Sequence, residues 1–334
     1  MDKVVTFGEI LMRIAPLGNK KLKQSNQLEY YFGGTEANVA ISLSQLGNHT
    51  QHIGAVSNDF VGDAAKSYLK KYDVNTDYII DSNHPLGLYF IEVGAVMRSS
   101  LISYNRSHSA FCKIEPKQID WEKILENCKW FHWTGITPAL SQNTYETLKE
   151  GILLANKKGI TISADPAYRS DLWNYGKEAT NILNELVHIS DIFIGGPNEI
   201  NELLGTTFLN SKEGFIPASE LLINEHPNIK KIFDKTRVSR NANWHKIKAR
   251  AWNGKEYLET NELEITHVVD RIGTGDAFAA GLIHGLLHYD DVMALEFANA
   301  ACGLKHTIEG DVNLITEDEV LHIIRGNLTG RIIR

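Results

Sequence analysis

Along most of the 334-residue chain, short runs rich in β-branched and aromatic residues alternate with segments whose apolar residues recur every three or four positions. "KVVTFGE" opens as a buried strand. In "EANVAISLSQLG" Val39, Leu43 and Leu46 fall at helical spacing, and Gly47 is placed to cap the helix C-terminus. "HIGAVS" predicts the next strand and "GDAAKSYLKKY" the next helix. Further strands are expected at "WFHWTGI", "ITISADP" and "DIFIGG", with amphipathic segments such as "TYETLKEGILLANKKG" beside them. Such alternation predicts βα units: an α/β fold with a mainly parallel central sheet and helices on both faces.

Two stretches break the rhythm. Residues 10–33 lack a helical period and carry β-prone ends, while residues 87–106, "GLYFIEVGAVMRSSLISYNR", read as two strands joined by a turn. Together they predict a small antiparallel sheet, a lid, over the main body. No internal repeat, low-complexity tract or linker divides the chain, so residues 1–334 read as one domain.

Composition narrows the classes of function. Hydrophobic residues make up 43% and charged residues 22%, which argues against wholesale disorder. A net charge of −7 argues against nucleic-acid or anionic-membrane partners, which reward clustered positive charge. Cys112, Cys128 and Cys302 have no metal-like spacing and are odd in number, as expected of thiols in a reducing compartment. The opening "MDKVVTFGEI" has no apolar run behind a basic segment, and no stretch has the length of a membrane helix. A cytoplasmic protein is the expectation.

Two motifs carry chemistry. In "DRIGTGDAFAAGLIHGLLH", Phe278, Leu282 and Leu286 fall four apart, so a helix is expected to begin near Asp276. Gly273 and Gly275 would let backbone amides converge at the positive end of that helix, which suits an anion. The plainer reading is a tight turn with a favourable first-turn acid. In "YFGGTEANVAISLSQLG", Gly33 and Gly34 permit close backbone approach and Asn38 sits in the first helical turn, a place to hold sugar hydroxyls. The plainer reading there is a strand-to-helix turn capped by Thr35 or Glu36.

Occurring together, one near each end of the chain, the two motifs resemble those of the ribokinase-like (PfkB) carbohydrate kinases. That resemblance implies a ribokinase-like fold with a β-sheet lid, and an ATP- and Mg²⁺-dependent transfer of a phosphoryl group to a sugar. It assigns Asp276 as catalytic base, Gly273, Thr274 and Gly275 as the anion hole, and Gly33, Gly34 and Asn38 as sugar-binding residues. Asn198, Thr236 and Arg237, with Gly273 and Gly275, would bind the nucleotide, and no metal is expected on direct protein ligands. Within the family, "GLYFIE", "SYNRSHSA", "WFHWTGITPALS", "YRSDLW" and "LKHTIEGDVNL" look like segments of the 2-keto-3-deoxygluconate kinase subgroup. By position, Tyr89, Tyr104, Arg106 and Arg169 would line a sugar-acid site, with Asp311 near the substrate. The resemblance implies transfer of the ATP γ-phosphate to the 6-hydroxyl of 2-keto-3-deoxygluconate.

An acid substrate fits arginine chemistry, because a carboxylate recruits guanidinium forks. Solvated surface arginine is the plainer reading of Arg106 and Arg169. Where the family has an acid three residues after Asn198, this chain has Asn201, with Glu199 and Glu202 nearby; Pro166 and Ala167 also depart from the subgroup. The basic run "KKIFDKTRVSRNANWHKIKAR" fits two solvated strands or a nucleotide-binding strand and turn better than a nucleic-acid patch. His132, His284 and His306 read as packing or hydrogen-bonding residues. A kinase for a neutral ketose of the fructokinase type and a catalytically silent sugar-binding relative are the alternatives. Exposed lid edges would suit self-association.

Overall fold

The computed structural model describes residues 3–330 of the chain. In chain order the strands are β1 (Lys3–Phe7), β2 (Leu11–Pro16), β3 (Leu28–Gly33), β4 (His49–Ser57), β5 (Ile79–Ser82), β6 (Gly87–Glu92), β7 (Leu101–Asn105), β8 (Cys128–Thr134), β9 (Thr161–Asp165), β10 (Ile192–Ile194), β11 (Lys231–Asn241), β12 (Trp244–Trp252), β13 (Tyr257–Glu259) and β14 (Leu263–Ile265). The main sheet runs β13-β12-β11-β10-β9-β8-β1-β4-β5, with β14 also on β12. From β11 through to β5 every neighbouring pair is parallel; β12, β13 and β14 add an antiparallel margin. Helices cover both faces. Phe131, Trp133, Ile162 and Phe193 pack into one core, and Val39, Leu43, Phe278 and Leu282 into another.

The helix Thr274–His288 lies so close to the helix Asp291–Lys305 that glycine is required at the seam. A Cβ on Gly285 would come within 2.6 Å of the Ala294 Cα, and one on Gly281 within 2.8 Å of the Ala298–Ala301 surface at Ala301 Cβ. That tight pair seats the glycine loop firmly on the body.

The lid departs from the expected pattern in one respect. Its strand order is β3-β2-β6-β7, and although the outer pairs are antiparallel, the central pair β2–β6 is parallel, with Leu11 opposite Gly87 and Ile14 opposite Phe90. The sheet is mixed because its two halves come from separate stretches of chain, and each enters the lid from the body in the same direction. Parallel pairing between non-adjacent segments leaves no trace in local periodicity.

Candidate active site

In an open α/β sheet a crevice forms outside the carboxyl ends of the strands, where the strand order reverses direction. Here the chain winds outward from β1 to β4 and β5 on one side and from β8 to β11 on the other. Glu9, just after β1, Asp165, at the end of β9, and Lys235, two residues past the parallel-paired part of β11, border the crevice. Between them, the lid and the glycine loop is a cavity of about 520 Å³. A second cavity of about 430 Å³ continues along β11 and shares Asp165, Arg169, Glu199, Lys235, Thr274 and Gly275 with the first. A larger one, about 680 Å³, lies beyond Arg271 between the lid turn and the β11–β12 turn. It contains none of residues Gly273 to Asp276, whereas both others include part of that loop, so the first two form the candidate site.

The glycine loop opens the Thr274–His288 helix two residues before Asp276. Gly273 has φ +78°, and a Cβ there would lie 1.8 Å from the Asp311 carbonyl oxygen, so both the backbone conformation and the space demand glycine. Burial drives the Asp276 carboxyl up to about 7; the like charges of Asp165 and Asp311 push the same way, while an Asn38 hydrogen bond and Lys235 oppose it. Asn38 Nδ2 donates to Asp276 Oδ2 at 2.7 Å, and Asp276 Oδ1 has no hydrogen-bond partner among the described residues. Asn38, expected on sugar hydroxyls, thus also orients the carboxylate. A carboxylate held by one oxygen, with a basicity matched to neutral pH, is equipped to take a proton.

Around it is a buried ion cluster that sequence reasoning missed. Arg13, on lid strand β2, donates from Nη1 to Asp270 Oδ2 at 2.7 Å and to Asp311 Oδ1 at 2.9 Å, and all three are nearly fully buried. The Tyr89 hydroxyl, from β6, donates to Asp311 Oδ2 at 2.5 Å. Asp270 lay inside the quoted motif, but Arg13 is separated from it by more than 250 residues and its only local sign was an inward position in a strand. Gly33 fits against the same acid: a Cβ there would be 2.5 Å from Asp311 Oδ2. Gly34, at φ +144°, would strike the Glu9 carbonyl.

No side chain caps the start of the Thr35–Gln45 helix, so the plainer reading of a turn capped by Thr35 or Glu36 does not hold. Glu36 turns inward, where its Oε1 accepts from Thr134 Oγ1 at 2.7 Å and Thr137 Oγ1 at 2.8 Å. Arg106 lines the cavity beneath Tyr104, but its guanidinium is already paired: Nη2 lies 2.5 Å from Glu9 Oε2 and Nε donates to the same oxygen. Arg169 lies exposed at the rim with Nη1 on the Tyr168 carbonyl.

Thr236 and Arg237 line the β11 cavity, and Thr236 Oγ1 donates to the Lys248 carbonyl. Asn198 is exposed and lines neither cavity, whereas Glu199 lines both. Asn201, standing where an acid was expected, is occupied with its own helix end: Oδ1 accepts from Thr206 and Phe208, and Nδ2 donates to the Phe208 carbonyl. The three singled-out histidines are buried and bonded: His132 to Ser163, His284 to Asn48 and His306 to the Cys302 carbonyl.

Comparison with known proteins agrees with this geometry. The family model described as pfkB family carbohydrate kinase matches residues 1–317. A 2-dehydro-3-deoxygalactonokinase of Haloferax volcanii is 30% identical over 331 residues, covering 98% of both chains. The crystal structure of a 2-dehydro-3-deoxygluconokinase from Thermotoga maritima superposes with a TM-score of 0.93 at 36% identity, covering 98% of this chain and 100% of that one. A putative ribokinase II from E. coli, solved with ATP and Mg²⁺, shares the fold at a TM-score of 0.83 and 23% identity, over 98% of this chain and 100% of that one.

Proposed function

Because the chain belongs to the pfkB family of carbohydrate kinases, ATP-dependent sugar kinases, we propose that its acceptor is a 2-keto-3-deoxy sugar acid, 2-keto-3-deoxygluconate, phosphorylated on its 6-hydroxyl. One observation carries the choice of an acid: Arg106 and Arg169 stand with Tyr89 and Tyr104 on the wall of the cavity that contains Asp276. A guanidinium fork suits a carboxylate better than a hydroxyl. Arg106 is partly neutralised by Glu9, which leaves Arg169 as the stronger candidate for the acid group and Arg106 as a donor to the keto or hydroxyl oxygens.

In the proposed mechanism Asp276 Oδ1 accepts the acceptor hydroxyl proton as that oxygen attacks the γ-phosphorus. The bond from γ-phosphorus to the β,γ-bridging oxygen breaks, and ADP leaves with that electron pair. Asn38 keeps the carboxylate aimed, and the amides of Gly273 to Asp276, at the positive helix end, stabilise charge on the transferring group. Glu9, Gly34, Tyr89 and Asp311 wall the sugar side, and the lid excludes competing water.

Mg²⁺ fits the donor set in a limited way. Among the described residues no three Asp, Glu, His or Cys side chains gather as a metal centre, but Asp165 and Glu199 border both cavities. These two would hold the ion through its water shell while nucleotide phosphates ligate it, as this reluctantly dehydrated cation prefers. When bound, it neutralises phosphate charge.

A panel of sugar acids and neutral ketoses with ATP and Mg²⁺ tests the reading. The 2-keto-3-deoxy acid is expected to have the highest kcat/KM, and Arg169→Ala to raise its KM by roughly 10-fold or more, in line with loss of a charged hydrogen bond. Equal use of a neutral ketose, with Arg169 dispensable, would overturn it.

A further inference from the structure

A loop that grips nucleotide phosphates often carries its own lysine; this glycine loop carries Asp276 in its place. The structure supplies a lysine from elsewhere. Lys235 lies within β11, two residues past the last parallel pairing of that strand with β10 at Phe233, where the two cavities meet, and lines both. Its Nζ lies over the glycine loop, 3.2 Å from where a Cβ on Gly275 would stand, and 5.5 Å from the Phe278 ring centroid.

We propose that Lys235 is a catalytic residue whose ammonium binds the γ-phosphoryl group of ATP during its passage from the nucleotide cavity to the sugar cavity.

Three observations bear on this. The Lys235 ammonium makes no hydrogen bond and no ion pair among the described residues; Arg237 and Arg271 are likewise without an ion pair there, but each lines only one of the two cavities, Arg169 is bonded to the Tyr168 carbonyl, and the other cations nearby are committed. Arg13 is held by Asp270 and Asp311, Arg106 by Glu9, Arg250 by Asp234, and the fully buried Lys305 by the Ile308 carbonyl. Its position is also shared by both halves of the reaction. A charge reaching only the β11 cavity would hold ATP and ADP alike; one at the junction meets the group that moves. Finally, Gly275 leaves the space in which Nζ lies, so the loop and the lysine are shaped to each other.

The chemistry needs such a charge. Negative charge spreads over the equatorial oxygens of the transferring phosphoryl group, and a point charge on a flexible stem can follow that group as its bonds break and form. With Lys235 on one side and the loop amides on the other, the group would be held from two directions. Asp276 then remains free to take the proton. The inference rests on the ATP-dependent sugar-kinase activity of the family and not on which sugar acid is the acceptor.

The test separates the two. Binding of ADP and of the non-transferable analogue AMP-PCP, each with Mg²⁺, is measured by calorimetry on the full chain, with no sugar present. In Lys235→Met the affinity for AMP-PCP relative to ADP is expected to fall by about 10-fold or more, while ADP affinity changes little. With the best acceptor from the panel, whichever it is, kcat is expected to fall by roughly 10²–10³-fold with the acceptor KM nearly unchanged. Lys235→Arg, which keeps the charge, should recover part of both. Thermal melting should show both variants folded. An unchanged AMP-PCP to ADP ratio, an equal loss for both nucleotides, or a kcat within a few-fold of the parent would overturn the proposal, even if the sugar-acid reading stood.

Discussion

The floor of the site and its lid are built on opposite principles. The floor is the glycine loop, which opens the Thr274–His288 helix, abuts the Asp311 backbone and is joined to the buried Asp270–Arg13–Asp311 cluster. The lid has a small core of Leu11, Ala15, Tyr89 and Ile91, flanked by Val93 and Ile272, with Phe32 and Met12 packed against the body, and every residue of its edge strand β7 is exposed. What joins them is polar: Arg13 and Tyr89, both from inner lid strands, reach down to Asp311 beside the loop. The difference suits the division of labour. Groups that stabilise developing charge must be held before the reaction, whereas a cover must let substrate in and product out.

The largest effect is expected at the floor. Asp276→Asn keeps the shape and an acceptor for Asn38 but removes the base, and turnover should fall by roughly 10²–10⁴-fold. Because burial raises the Asp276 carboxyl to about 7, kcat/KM of the parent should rise with pH through about 7, as the carboxylate forms. The stability sign runs the other way. With a folded-state value above the ordinary 3.8, the folded protein favours the protonated acid, and this contribution is lost as pH rises from about 4 through 7. Above pH 7 the parent carries a buried charge that the variant lacks. Asp276→Asn should therefore melt higher than the parent at pH 8 and no higher at pH 5. A lower melting temperature at pH 8, or near-parental turnover, would contradict the assignment of the base.

Next in size is the polar junction between the two regions. Arg13→Met leaves Asp270 and Asp311 buried without their cation, a loss expected to cost about 3–5 kcal/mol of stability. For a chain of this length that is a fall of about 5 °C in melting temperature. If Arg13→Met melts like the parent, the junction does not hold the lid to the floor.

The same contrast explains what could be read from the sequence. The glycine loop, Asp276 and the strand–helix alternation were legible because each is local: a turn needing glycine, an apolar stripe, a period of two or of 3.6. Groups whose role depends on a distant partner were not. Arg13 reads as an ordinary strand arginine until Asp270 and Asp311 are placed beside it, and Glu9 until Arg106 is. Asn38 was recognised as a site residue, but its bond to Asp276 was not, because its distance from Asp276 in the fold cannot be read from the chain. Lys235 sat in a basic run whose neighbours Thr236 and Arg237 drew notice, and only the sheet shows that it alone among these three borders both cavities. The parallel β2–β6 pair was hidden for the same reason.

The smallest effect is expected at the outer edge of the lid. Leu101, on β7, is 63% exposed and does not line the sugar cavity. If that edge faces water, Leu101→Thr removes apolar surface that was never buried. Stability should then stay within about 0.5 kcal/mol of the parent, and kcat and KM should be unaltered. The alternative outcome is informative because an unpaired strand carrying Leu101, Ile102 and Tyr104 is also a template on which a second copy could pair. In that case part of the stability comes from association, so the melting temperature depends on protein concentration and the variant lowers it most in dilute solution. Sedimentation of parent and variant over a range of concentrations decides between the two. A single monomeric species throughout, with matching melts, would make the lid a cover of one chain only; a concentration-dependent loss would turn its weak edge into a buried interface, and the lid would no longer be the less constrained region.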